Sequence, residues 1–196
     1  MTTLKRLITS WQLSAGLHTL RDGASESDVE DFEFLADWRL PTEWRDLYLF
    51  ANGAALFKEN LRVYPLRGDD WSLLDASQFY RDMDWPVPEE LWIAGDNGHG
   101  DAFGLWLPSA NRETASVVEM LYSRELVFAG SSLSAFLLAK TAHFLLAYDA
   151  PSAALDALDV PLELRKTQDF EIPTGLEQWA DPEFERLLAD FRTRHP

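Results

Sequence analysis

The 196-residue chain reads as an α+β domain, an antiparallel twisted sheet flanked by helices with an extra helical segment at the C-terminal end. Two observations carry that reading. Helical periodicity opens the chain, gives way to short strand-like runs separated by glycine turns, and returns in a long apolar helix and a last amphipathic one. A hydrophobic content of 46%, with eight Trp and twelve Phe, is ample for a packed core. There is no internal repeat and no low-complexity segment.

The N-terminal "MTTLKRLITSWQLSAG" resembles a signal peptide only superficially, because Thr9, Ser10 and Gln12 interrupt any apolar run. Leu4, Leu7, Ile8 and Trp11 follow helical spacing instead, with Gly16 as the stop. Ser27 with Glu30 three residues on predicts a capped helix from Asp28 to Trp38. Pro41 suits the first turn of the next helix, whose Trp44, Leu47, Tyr48 and Ala51 make one stripe and whose Asn52-Gly53 supplies a left-handed exit. "AALF" and "LRVYPLR" then read as short strands around a Lys58-Glu59-Asn60 turn, and "DASQFYRDM" as a short helix. "LWIAG" and "AFGLWLP" are strands, with Phe103, Leu105 and Leu107 on one face and Trp106 on the other; "SVVEMLYS" and "ELVFAG" continue the sheet. Ser132 to Tyr148 is too long and apolar for a strand and predicts a buried helix. Residues 1–148 are expected to form the main domain. Residues 149–196 are expected to be an extension packed on the same core, ending in a helix capped by Asp181 that carries Phe184, Leu187, Leu188 and Phe191 on one stripe.

Bulk properties exclude several functions. With no cysteine there is no disulfide, thiolate metal site or Cys nucleophile, a pattern that suits a reducing cytoplasm. No stretch approaches 18 uninterrupted apolar residues, so no membrane helix is expected. The net charge of −16 repels nucleic acid and anionic lipid and favours basic partners. Half of that charge lies between Asp69 and Asp101, where nine acids face one base, Arg81.

The stretch "AGDNGHGDAFGLWLP" is the first candidate for chemistry. Gly95 and Gly100 open a phosphate-loop pattern, but Asp101-Ala102 stands where Lys-Ser/Thr is needed. A dinucleotide fingerprint lacks its third glycine at Phe103, and a calcium loop from Asp96 would place Leu107 where the bidentate acid belongs. A cruder cation site from Asp96, Asn97, His99 and Asp101 is conceivable, yet Asn97-Gly98 needs only a hairpin turn to explain it. There is no H-E-x-x-H and no G-x-S-x-G; "GSSLS" is read as helix capping by Ser131 or Ser132. The adjacent acids Asp69-Asp70 and Glu89-Glu90 could serve a glycosidase, but such pairs ordinarily mark solvated loops.

"FEFLADWRLPTEWRDLYLFANGAALF" (Phe32 to Phe57), then "LWIAGDNGHGDAFGLWLP", "VVEMLYS" and "SSLSAFLLAK" together resemble the SUKH superfamily, typified by the yeast Smi/Knr cell-wall regulators. The landmarks are Leu40-Pro41, Asn52-Gly53, the turn from Gly95 through Gly98 and Gly100 to Asp101, and Phe136-Leu137, in a resemblance that covers roughly Asp28 to Leu145. It implies an α+β domain without an active site, cofactor or metal, in which the loop glycines and Asp101 serve the fold. It also implies a binding protein: bacterial members resemble cytoplasmic immunity proteins that neutralise toxins, often nucleases, and eukaryotic ones resemble regulatory interaction modules.

On that basis the expected function is non-enzymatic neutralisation of a basic toxin domain by direct binding. The expected contact surface is acidic, formed by Asp69, Asp70, Asp75, Asp82, Asp84, Glu89, Glu90, Asp96 and Asp101, with Trp71, Tyr80 and Trp85 as candidate anchors. A regulatory module and a carbohydrate- or metal-dependent enzyme using the clustered acids are the alternatives.

Overall fold

Strands lie side by side in the order in which the chain makes them. The computed structural model describes residues 2–68, 71–83, 85, 87–107, 115–165 and 176–194. Among these, β1 (Thr19–Leu20), β2 (Ala54–Leu56), β3 (Leu61–Val63), β4 (Leu91–Asp96), β5 (Ala102–Trp106), β6 (Ser116–Met120) and β7 (Leu126–Gly130) form one seven-stranded antiparallel meander. The expected α+β class is what the chain adopts.

Alternation along the strands sorts side chains onto two faces. Leu61, Val63, Phe103, Leu105 and Val117 join the larger core, shared with α1 (Thr3–Leu13), α2 (Glu26–Ala36), α3 (Thr42–Phe50) and α5 (Leu133–Ala147). Trp11, Phe32, Trp44, Tyr48 and Phe136 are among its bulkiest buried members. α5 is apolar nearly all round, and it is accordingly enclosed, meeting α1, α3, the short α6 (Ser152–Ala157) and α7 (Leu176–Ala180) as well as the sheet. Tyr64, Leu91, Ile93, Ala102, Val118, Met120 and Phe128 form a smaller core on the other face. There α4 (Leu73–Asp82) lies over β4 and α8 (Phe184–Arg194) over β7. Phe191 of α8 is buried, edge-on to Trp106 at 5.1 Å, with Phe184, Leu187 and Leu188 packed around it.

Caps depart from expectation at three places. α2 begins two residues early, because Ser25 rather than Ser27 forms the reciprocal capping box, its hydroxyl taking the Asp28 N–H and the Asp28 carboxylate taking the Ser25 N–H. Pro41 precedes α3 as its N-cap residue rather than occupying the first turn. At the end of α3, Ala51 is already extended and Gly53 alone takes positive φ, +104°. Asn52 is used differently: its side-chain carbonyl accepts the Leu66 N–H at 2.9 Å and its N–H donates to the Asp22 carbonyl at 3.0 Å, tying the helix exit to both flanks of β2 and β3. Leu40 and Pro41, at the opposite end of α3, are buried, Leu40 in the larger core. Ser132 caps α5, while the Ser131 N–H donates to the buried Asp181 carboxylate at 2.7 Å.

Candidate functional site

Register decides what the second sheet face presents where no helix covers it. Thr19 pairs with Ala55, Ala55 with Arg62, and Arg62 with Asp96, so one row of side chains runs across four strands on the same face. The row begins with small side chains and ends with a charged pair. Between it and α4 lies a cleft of about 560 Å3, walled by Tyr64, Trp71 and Tyr80 and lipped by Gly98 and Gly100.

Asp96 is the anchor of its floor. The residue is 6% exposed, and its Oδ1 accepts from Arg62 Nε at 2.8 Å, Arg62 Nη2 at 2.6 Å and the Gly98 N–H at 2.6 Å. The Tyr64 hydroxyl donates to Oδ2. A buried carboxylate is tolerable only with such a set of donors. Hydrogen bonding to Asp96 holds the Arg62 guanidinium above its ordinary range, against a smaller opposing effect of burial. Burial first, and the bond to Asp96 second, push the Tyr64 phenol well above its usual range.

The loop from β4 to β5 is built around Asn97. Its side-chain carbonyl accepts the N–H groups of His99 at 2.9 Å and Asp101 at 3.1 Å, and its amide donates to Asp101 Oδ2 at 2.7 Å. Asn97-Gly98 is therefore not a two-residue hairpin turn with both residues at positive φ. Gly98 and Gly100 take that conformation, at +72° and +109°, and Asn97 supplies the internal bonds. Gly95 answers to close approach instead: a Cβ there would stand 2.0 Å from the Arg62 carbonyl oxygen and 2.4 Å from the Phe103 ring. The conceivable cation site is not assembled, since Asp96 faces Arg62 and Tyr64, Asp101 also takes the Tyr122 N–H at 2.8 Å, and the His99 ring sits 3.1 Å from Asn60 Oδ1. No three His, Asp or Glu side chains converge among the described residues.

Next to the cleft, α4 turns a mixed stripe outward. Leu73, Ala76 and Ser77 are buried, which leaves Asp75, Gln78, Phe79, Asp82 and the C-cap Met83 on the opposite side at helical spacing. Phe79 is 41% and Met83 54% exposed. Trp71 meets Phe79 edge-on at 4.8 Å, Phe79 meets Tyr80 at 5.6 Å, and Tyr80 meets Trp85 at 5.3 Å, forming a continuous aromatic run from cleft to helix end.

The family model for the SMI1/KNR4 family (SUKH-1) matches residues 23–139, more than half of the chain. The chain belongs to the SMI1/KNR4 family. No curated protein sequence matches it. The SMI1/KNR4 match contains α2 through the first half of α5 and leaves out α1 and β1 at one end and α6 to α8 at the other. Thr19 and Arg21, which close one side of the cleft, thus lie ahead of the matched region. No helix among the described residues is long and apolar enough to cross a membrane.

The expected acidic surface is smaller than its sequence span. Asp96 is buried and bound to three residues, so it does not belong to a solvated acidic face, while Asp101 is half-buried and engaged by Asn97 and Tyr122. Asp75, Asp82, Glu89 and Glu90 are exposed; Asp75 also accepts from Ser72 Oγ at 2.5 Å and Asp82 from Gln78 at 2.8 Å. Asp69, Asp70 and Asp84 lie outside the described residues. Trp71 and Tyr80 stand together at the cleft wall, and Trp85 lies under the Arg124 guanidinium, 5.4 Å from its ring centre. Sequence reading missed Arg62, Tyr64, Phe79 and Met83. The period-2 placement of Arg62 and Tyr64, opposite Leu61 and Val63, was the available signal for the first two.

Proposed function

We propose that this SMI1/KNR4-family chain is a non-enzymatic immunity protein that neutralises a cognate basic toxin domain by gripping it with the outward face of α4. The observation that carries this is the stripe itself: exposed apolar Phe79 and Met83 along one edge, Trp71 against Phe79, and the acids Asp75 and Asp82 next to them. Exposed aromatic and Met side chains supply contact area, while marginal acids steer a basic surface into place and contribute less to affinity. A nuclease, whose substrate cleft must be basic, fits that chemistry.

The test is rescue by co-expression with the toxin encoded next to it, combined with binding kinetics. The double variant Phe79→Ala, Met83→Ala is expected to abolish rescue and weaken binding about 30-fold or more, mainly through faster dissociation. Association should slow steeply between low and high salt. A flat salt response removes the electrostatic part, and unimpaired rescue by the double variant assigns the contact elsewhere.

A further inference from the structure

The cleft beside α4 has a donor set centred on Arg62, which the proposed toxin contact does not use. Among the described residues, the side chains lining it that can hydrogen-bond are Thr19, Arg21, Arg62, Tyr64, Trp71, Tyr80 and Asp96. All but Asp96 can donate, and Asp96, the one carboxylate, is already taken by Arg62, Tyr64 and Gly98. Among the described residues, Arg62 spends Nε and one Nη2 proton on Asp96 Oδ1, which leaves Nη1 and the other Nη2 proton uncommitted on a side chain that is 46% exposed. Asp96 thereby fixes the guanidinium plane of a side chain that lines the cleft. Trp71, 41% exposed and edge-on to Tyr64 at 6.4 Å, offers an indole surface in the same cleft. Gly98 and Gly100 keep the lip free of side chains, and the volume of about 560 Å3 falls in the range of small-molecule sites.

We propose that this cleft binds a small ligand carrying an oxyanion, carboxylate or phosphate, next to a flat ring. The oxyanion is taken by the outer edge of Arg62 with help from the Tyr80 hydroxyl, and the ring lies against Trp71. The overall charge of −16 does not forbid this. Repulsion from distant surface acids is screened beyond about 8 Å at physiological salt, whereas the donors act at contact. The site meets the proposed toxin contact at Trp71, while its key side chain, Arg62, is in β3 and away from the outer face of α4.

Two probes separate the oxyanions: AMP for phosphate and indole-3-acetate for carboxylate, with adenosine and indole as uncharged counterparts. Titrations of the full chain are followed by calorimetry and by the NMR signals of the Trp71 indole N–H and the Gly98 and Gly100 amides. At least one charged probe is expected to bind with a dissociation constant of about 1 mM or tighter and to move those signals. Its uncharged counterpart should bind about tenfold more weakly. Arg62→Gln should lose the charged probe's advantage. Arg62→Lys, which keeps a cation beside Asp96 but not the planar fork, guards against a folding defect and should still weaken binding about fivefold or more. Trp71→Ala should weaken both members of a pair together. No saturable shift with either charged probe, equal binding of charged and uncharged partners, or full affinity in both Arg62 variants overturns the proposal.

Discussion

His18 places a lower pH limit on the start of the sheet. The Phe57 N–H donates to its Nδ1 at 3.4 Å, and Nε2 lies 3.0 Å from Ser14 Oγ, whose own proton goes to the Ser10 carbonyl at 2.8 Å. The network therefore assigns a neutral ring with its proton on Nε2. The ring stands edge-on to Phe57 at 4.7 Å, and burial with no compensating charge lowers its pKa from 6.5 to about 4. Between those values the unfolded chain binds a proton that the folded one refuses. The contribution is complete above 6.5 and is lost as pH falls towards 4. From pH 7 to pH 5 the full shift amounts to about 2 kcal/mol, and discounting for the partial exposure of the imidazole leaves about 1 kcal/mol. Urea unfolding of the wild type and of His18→Gln at both pH values measures it, since the carboxylates common to both proteins cancel in the difference. The wild type should lose about 1 kcal/mol more than the variant across that window. Equal pH slopes, or an NMR titration of His18 centred near its unperturbed value, would refute the reasoning. Because His18 immediately precedes Thr19, the same protonation should loosen the β1 side of the cleft first.

Further outcomes follow from packing and charge. Gly95→Ala forces a Cβ onto the Arg62 carbonyl and the Phe103 ring and should cost about 3 kcal/mol or more, read as a lower urea midpoint. Phe191→Ala removes the buried anchor between α8 and the Trp106 and Phe128 rings and should cost about 3–5 kcal/mol, with increased proteolysis of the C-terminal helix before the rest. Asp96→Asn deprives Arg62 and Tyr64 of a carboxylate and should cost about 2–3 kcal/mol in denaturation. At a temperature where that variant is folded, its toxin affinity should stay within about threefold of the wild type, because Asp96 is not on the outer face of α4.

Elements were legible where one local rule governed them. Trp44, Leu47 and Tyr48 recur at a single helical face with Ala51 just past its end, and all four are buried. Phe103, Leu105 and Leu107 fall on the larger core and Trp106 on the smaller, as strict alternation requires. α6 was not anticipated because it is six residues long, too short for periodicity to register, and packs through Ala154 and Leu155 alone. The acidic residues were the least legible. Asp75, Asp96 and Asp101 look alike in sequence, but one is an exposed partner of a helix cap, one a buried counter-ion and one a loop brace. That distinction depends on Arg62, Tyr64 and Tyr122, which lie 21 to 34 residues away along the chain. The cleft depends on cross-strand register, which a linear reading does not contain.

α1 has a consequence for how the chain is made. Its contacts are with the other end: Ser10 Oγ donates to the Ala154 carbonyl at 2.9 Å, Arg6 Nε to the Ala157 carbonyl at 3.4 Å, and Trp11 Nε1 to Thr141 Oγ1 at 3.2 Å. These pairs are separated by 130 to 151 residues. At ordinary synthesis rates the first helix waits on the order of ten seconds on the ribosome before its partners exist. Throughout that interval Leu7 and Trp11 are an apolar stripe without a core, open to chaperones and to neighbouring nascent chains. The contacts that cover α1 come from α5 and α6, so a chain cut short before α6 would leave that helix as exposed as the cut end.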